Sequence, residues 1–177
     1  MAAADQEIAD ALRRSFLGSL PRDVMDELIA NGPCTDYPAG SGIYREGAAP
    51  RAVLVVHGLL RVFMTSPNGR QVTVRYAREA DVLGIAVVVG GPADVRVQTI
   101  TDSRLLGIDG RRLTEAARRD ARVAWALAEE LNRRLYETLQ QTAVNTFGSV
   151  KQRVAAALLD LASAQQRPQD RLVAQVS

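Results

Sequence analysis

The chain has 177 residues, of which 47% are hydrophobic and 24% charged, a balance typical of a globular protein with a substantial core. A net charge of +2 does not by itself indicate a nucleic-acid-binding surface. The single cysteine excludes an internal disulfide, and with the single histidine it excludes any multi-cysteine or multi-histidine metal site. Because no apolar run is long enough to cross a bilayer and no signal peptide opens the chain, we expect a cytoplasmic protein without a membrane partner.

Two short helices are predicted within the first 30 residues. Apolar residues at helical spacing lie on one face of the first helix, namely Ile8, Leu12, Phe16 and Leu17. The pair Leu20-Pro21 ends this segment, and Val24, Leu28 and Ile29 continue the pattern in a second helix. Asn31-Gly32-Pro33 then ends the second helix.

Between Cys34 and Asp109 the pattern changes to short apolar or alternating runs separated by turn signals. The runs cover residues 52–58, 59–65, 72–77, 95–101 and 104–109. The segment 66–69, "SPNG", is a strong hairpin signal because Asn68-Gly69 suits positive φ. Many short strands at even spacing predict a small antiparallel barrel or jelly roll, in a fold that is mainly β with flanking helices.

Residues 122–147 contain neither proline nor glycine and predict one long helix. Leucines recur at every fourth position, at Leu127, Leu131, Leu135 and Leu139. An overlapping heptad-like track predicts the seam of a parallel homodimer; with Leu139 added, the interface residues are Ala128, Leu131, Leu135, Thr138, Leu139 and Thr142. Trp125, near the start of this helix, is interpreted as a core residue or a dimer anchor.

After the long helix, residues 147–150 are predicted to form a hinge. Ser149 could cap a further helix that runs to about Gln165. The apolar residues expected to face inward on it are Val154, Ala157, Leu158 and Leu161. We expect three regions: a sensor region at 1–119, a dimerisation helix at 120–147, and a hinge, helix and strand start at 148–177.

The order of these elements resembles the Crp/Fnr family of bacterial transcription regulators. The segment "FLGSLPRDVMDELI" is similar to the family's entry helices, "EADVLG" to its Gly-Asp-x-x-Gly element, "ELNRRLYETL" to its dimerisation helix and "VKQRVAAALLDLA" to the helix after its hinge. The resemblance implies a cyclic-nucleotide-binding-like jelly roll flanked by N-terminal helices and a long C-terminal dimerisation helix. It also implies a DNA-binding winged helix beyond "LVAQVS", so the sequence is expected to be part of a longer regulator.

The resemblance also implies a phosphate-binding segment after residue 83. In family members that bind cyclic AMP, a glycine is followed by a glutamate that binds the ribose hydroxyl, and a later arginine holds the phosphate. Here Gly84 matches the glycine, Ile85 stands at the glutamate, Ala93 at the arginine, and Asp94 beside it. Isoleucine cannot accept that hydrogen bond and aspartate repels phosphate, so cyclic AMP is not expected to bind in the usual mode.

Two other residues could contribute to the pocket. Arg96 could reach the phosphate through a shifted register, but strand alternation puts it on the other face of the strand from Val95 and Val97. Thr138 matches the family's adenine-contacting threonine, and it is equally consistent with a small residue in the dimer seam. The remaining frame, with Ile85, Val87, Val89, Ala93 and Val95, is expected to be apolar and either filled by its own side chains or open to a less polar, unidentified effector.

His57 and Cys34 are the residue types that bind haem or act as redox ligands in some relatives. A single histidine without a second ligand predicts a surface or turn residue, and Cys34 is interpreted as a packed small hydrophobe. We therefore expect no cofactor and no metal.

Two alternatives to a regulator remain. One is a cyclic-nucleotide-binding module without DNA binding, which the predicted hinge and following helix disfavour. The other is a cupin-type enzyme with a jelly roll, whose metal needs several histidine ligands that this chain lacks. No nucleophile or carboxylate pair stands in a recognisable catalytic pattern, so we expect no enzymatic activity.

Overall fold

The structure, a computed structural model, describes residues 2–43, 51–91 and 95–165. It comprises two compact units, Met1–Asn132 and Arg133–Ser177. In the described residues, no helix is long and apolar enough to cross a membrane.

The chain begins with the helices that the apolar spacing predicts. α1 spans Ala2–Arg14, a single 3-10 turn spans Phe16–Ser19, and α2 spans Arg22–Ile29. Ser15 joins the first two elements, since its hydroxyl donates to the Leu12 carbonyl at 2.8 Å and accepts from the Leu17 N–H at 3.2 Å. The predicted inward residues Leu12, Leu17 and Leu28 are buried, so the expected packing face is confirmed.

Two antiparallel sheets follow, which confirms the predicted jelly roll. The strands are β1 (Cys34–Tyr37), β2 (Ala52–His57), β3 (Leu60–Thr65), β4 (Gln71–Ala77), β5 (Val82–Leu83), β6 (Arg96–Thr99) and β7 (Ser103–Ile108). One sheet has the order β1-β7-β2-β5 and the other β4-β3-β6. The predicted hairpin joins β3 to β4, with Thr65 opposite Gln71 and Gly69 at a φ of 80°.

The first sheet has a hydrophobic core on each face, because successive side chains of a strand point to opposite sides. Leu54 of β2 and Leu106 of β7 belong to the helix-side core, which also contains buried residues of the helices. Val55 and Leu105 belong to the inner core, where Val62 of β3 and Val97 of β6 meet them.

Two helices complete the first unit. α4 spans Gly110–Arg119 and was not predicted from the sequence. Asp109 caps it, accepting from the N–H groups of Arg111 and Arg112 at 3.0 and 3.1 Å. α5 spans Ala121–Phe147, as predicted to within one residue, and it passes from the first unit into the second.

The first turns of α5 pack on the helix-side core through Val123, Ala126 and Leu127. These residues recur at helical spacing, so this part of α5 turns one face to the core and the opposite face outward. Trp125 lies on the outward side with 67% of its surface exposed. The interpretation of Trp125 as a core residue is therefore wrong, while its role as a dimer anchor remains a prediction.

In the second unit, α6 spans Val150–Gln165 and begins where the sequence predicts. Ser149 and Gln152 form a capping box: the Ser149 hydroxyl accepts from the Gln152 N–H at 3.3 Å, and the Gln152 side chain accepts from the Ser149 N–H at 2.8 Å. Val154, Ala157 and Leu158 are exposed in this chain, so the prediction that they face inward is wrong here.

Candidate functional site

A short helix stands where the resemblance implies a phosphate-binding segment. β5 ends at Leu83, Gly84 adopts the left-handed conformation with φ 85°, and α3 spans Ile85–Gly90. Gly91 ends the helix at φ 92°, with its N–H bonded to the Val87 carbonyl at 3.1 Å. A side chain at Gly84 would strain this backbone, so glycine allows the sharp entry into α3.

The side chain of Ile85 is buried in the helix-side core, with 1% of its surface exposed. Val88, one turn later, packs against the same core, whereas Val89 is 53% exposed. The expected apolar lining was derived from alternate positions, and it is wrong for Val89 because α3 follows the helical period. Val88 was missed for the same reason.

The first turn of α3 provides backbone N–H groups that have no partner within the helix. Among the described residues, no side chain caps it at Gly84. Such an end can bind an anion through its amides and its dipole. The residue at the predicted glutamate position is nevertheless Ile85, whose buried hydrocarbon side chain has no oxygen to accept a hydrogen bond.

Arg96 begins β6, opposite Phe63 of β3. It is exposed, while Val97 is buried in the inner core and Val95 packs against it. The predicted alternation is therefore confirmed, and Arg96 lies on the face away from the inner core. Ala93 and Asp94, the other two predicted pocket residues, lie outside the described residues.

Thr138 and most of the predicted seam residues belong to the second unit, in the C-terminal part of α5. Thr138 is exposed, and its hydroxyl donates to the Arg134 carbonyl at 2.8 Å; Thr142 donates to the Thr138 carbonyl at the same distance. Leu135 and Leu139 are 55% and 54% exposed. Both threonine hydroxyls are thus engaged within their own helix, beside exposed leucines.

The two seam residues of the first unit differ in their environments. Ala128 is exposed, while Leu131 is partly buried against the helix-side core. Leu131 therefore already contributes to the packing of its own unit. A substitution there would disturb this core as well as any partner contact.

His57 lies at the end of β2, and its side chain is 60% exposed. Its Nδ1 is 3.1 Å from Glu79, which also pairs with Arg14 at 3.1 Å. The prediction of a surface histidine is confirmed. In the part of the chain that the structure describes, no cluster of three or more histidine, cysteine or acidic side chains could hold a metal ion.

Cys34 is exposed at the start of β1, so its interpretation as a packed residue is wrong. Desolvation raises the pKa of its thiol, and the nearby Arg104 opposes that rise. The same Arg104 donates to both Asp36 carboxylate oxygens, at 2.7 and 3.3 Å, and lowers the pKa of that carboxyl. These residues form an exposed polar cluster on the outside of the first sheet.

The turn between β4 and β5 contains a backbone feature that the sequence analysis did not identify. Ala80 has a φ of 70°. In "EADVLG", Ala80 takes the place of the first glycine of the family's Gly-Asp-x-x-Gly element. The resemblance could therefore have indicated a positive φ at this position. The Ala80 N–H donates to the Val55 carbonyl at 2.9 Å, which fixes the turn against β2.

Comparisons with known proteins agree with this arrangement. Residues 34–120 match the family model of the cyclic nucleotide-binding domain. Transcriptional regulator LdrP of Thermus thermophilus is 30% identical over 131 residues, which cover 73% of this chain and 64% of that protein. The cyclic AMP receptor protein of a second T. thermophilus strain is 30% identical over 127 residues, covering 71% of this chain and 59% of that protein.

A solved structure from Eubacterium rectale, assigned to the Crp/Fnr family of transcriptional regulators, has a TM-score of 0.72 and 20% identity, covering 84% of this chain and 70% of that one. At this identity the likeness concerns the fold. The chain spans less than two thirds of the length of the two T. thermophilus relatives. The matched domain, the relatives and the fold agree: the chain carries a cyclic nucleotide-binding domain over residues 34–120, and its homologues and structural neighbours are regulators of the Crp/Fnr family.

Proposed function

We propose that this chain is the sensor and dimerisation region of a DNA-binding transcription regulator, and that its phosphate-binding segment does not bind cyclic AMP in the usual mode. Residues 1–119 would form the sensor, 120–147 the dimerisation helix, and 148–177 the hinge and the start of a DNA-binding domain. Such a regulator acts in the cytoplasm and has no enzymatic activity.

The burial of Ile85 is the observation that carries this proposal. The position where relatives are expected to hold the ribose has a hydrocarbon side chain that is 1% exposed and packed in the helix-side core. A hydrogen bond to a charged group contributes about 1.5–3 kcal/mol, so its loss alone weakens binding about tenfold to a hundredfold. Arg96 adds no compensation because its side chain lies on the exposed face of β6.

Homodimerisation through α5 is supported by the exposure of its apolar track. Leu135 and Leu139 are each more than half exposed, as are Trp125 and Tyr136. Large apolar side chains at heptad-like spacing are typical of a helix that pairs with a second helix. Pairing of two copies would cover these side chains.

DNA as the partner of the whole regulator is supported by the relatives, one of which is named a transcriptional regulator. We expect the chain of 177 residues to bind DNA weakly and without sequence preference. In this proposal, sequence selectivity requires a recognition helix in the major groove.

Calorimetric titration with cyclic AMP and cyclic GMP up to about 1 mM tests the proposal. We expect no saturable heat. A dissociation constant near or below about 10 μM, equivalent to roughly 7 kcal/mol, would contradict the proposal and show that another group replaces the lost contacts. Arg96→Ala would then identify whether Arg96 is that group.

A further inference from the structure

A cleft of about 720 Å³ opens in the first unit, beside α4. Residues of β1, β2, β7, α3 and α4 line it. The described residues that line this cleft include none of the residues predicted for the nucleotide pocket. Its volume is within the range of small-molecule sites in proteins, about 300–1,000 Å³.

One wall of the cleft is apolar. Tyr37, Val53 and Leu105 come from three neighbouring strands and belong to or pack against the inner core. Val88 of α3 adds a further apolar side chain to the lining. This wall offers a surface on which a hydrocarbon or aromatic body would be removed from water.

A second part of the lining is one face of α4 and is cationic. Arg111, Thr114, Glu115 and Arg118 recur at helical spacing and all line the cleft. Arg51, just before β2, lines it as well. Over residues 2–43, 51–91 and 95–165, the side chains of Arg51, Arg111 and Arg118 make no hydrogen bond or ion pair, in contrast to Arg112, which pairs with Asp109 and Glu27.

Among the described residues that line this cleft, three are arginines and two, Asp109 and Glu115, carry carboxylates. Asp109 is already engaged, because it caps α4 and lies 3.4 Å from the Arg112 guanidinium. Of the described lining residues, Glu115 is the other one with an acidic side chain. This excess of positive charge is small, so one negative charge on a ligand matches it better than the two charges of a phosphate monoester.

We propose that this cleft binds an amphiphilic carboxylate, with its head group held by Arg111 and Arg118 and its apolar body against Tyr37, Val53 and Leu105. The two arginines are about 10 Å apart along the helix axis, and their long side chains can converge on one carboxylate. The proposal does not depend on DNA binding or on the nucleotide segment. The cleft would be a ligand site of the first unit that is separate from the nucleotide-binding segment.

Titration of the chain with decanoate by calorimetry tests this site. We expect saturable binding with a dissociation constant below about 100 μM, and at least tenfold weaker binding of decanol and of acetate, since each lacks one half of the match. The variant Arg111→Gln/Arg118→Gln should weaken decanoate binding at least tenfold. The matched control is Arg119→Gln, which removes an α4 arginine that is not among the described lining residues and should bind as the parent does.

A second variant separates the cleft from general surface charge. Thr114→Trp keeps every arginine and adds a large side chain to the lining of the cleft, so it should also weaken binding at least tenfold. Retained folding is checked by far-ultraviolet circular dichroism. Decanoate binding weaker than about 1 mM, equal affinity for decanol, or unchanged affinity in either the double variant or Thr114→Trp would overturn the proposal.

Discussion

Placing the missing glutamate back at the start of α3 should destabilise the protein. Ile85→Glu removes an almost fully buried side chain, whose burial contributes about 1.5–3 kcal/mol. It also puts a carboxyl group into the helix-side core, where an unpaired polar group adds a penalty of about 1–3 kcal/mol. Together these effects predict a loss of about 2.5–6 kcal/mol from the free energy of unfolding.

Two variants calibrate this loss. Ala86→Glu puts the same side chain at the next position of α3, which is exposed, and an acidic group in the first turn of a helix is tolerated or mildly favourable. It should change stability by less than about 0.5 kcal/mol. Ile85→Val removes one buried methylene and should lose about 0.5–1.5 kcal/mol.

The assay is urea unfolding followed by far-ultraviolet circular dichroism, with the three variants compared at one pH. The sole tryptophan, Trp125, is already 67% exposed, so its fluorescence is a poor probe of unfolding. If Ile85→Glu is no less stable than Ala86→Glu, then position 85 is not a core position. The side chain at position 85 would then be open to a ligand, contrary to the proposed function.

Other parts of the chain give three further predictions. Ala80→Gly should stabilise the protein by about 1 kcal/mol in urea unfolding, because Ala80 has a φ of 70°; no gain would contradict the strain. Leu135→Asp should convert a dimer to a monomer in sedimentation velocity. Gln140→Asp, elsewhere on the same helix, should leave the dimer intact. A dimer in both variants would exclude the α5 seam. Arg104 lowers the pKa of Asp36 below its ordinary 3.8, so the stabilisation from this pair is present above pH 3.8 and is lost as pH falls through the lowered pKa. The midpoint of the Asp36 titration, followed by NMR, should rise in Arg104→Gln. An unchanged titration midpoint would contradict the role of Arg104.

Regular patterns allowed most of the fold to be predicted. The strands that became β2, β3, β4, β6 and β7 were predicted from alternation and turn residues, and the start of α6 from Ser149. These elements depend on local signals, namely side-chain period, turn chemistry and capping, which a sequence displays directly. The long helix could also be predicted, because residues 122–147 contain neither proline nor glycine.

α3 could not be predicted in the same way. "IAVVV" is short and rich in β-branched residues, so its pattern is equally consistent with a strand. Its helical state depends on the positive φ of Gly84 and on burying Ile85 and Val88 against the helix-side core. Both are tertiary features, and that is why Val89 was expected inward and Val88 was missed.

Exposure was the second feature that composition could not predict. Trp125 and Cys34 belong to residue types that are often buried, yet both are exposed. Arginine is a residue type that is mostly exposed, so the arginines of α4 do not by themselves indicate a cleft. Only the fold brings Arg111 and Arg118 into the lining of the same cleft as Tyr37, Val53 and Leu105.

The most direct test of the nucleotide-binding account is a titration of the ¹⁵N-labelled chain with cyclic AMP, followed through the backbone amide resonances of Gly84, Ile85 and Ala86. These amides lie at the start of α3, where a cyclic phosphate would bind. The account predicts no saturable shift at these three positions up to about 1 mM nucleotide. Saturable shifts that fit a dissociation constant near or below about 10 μM would contradict it.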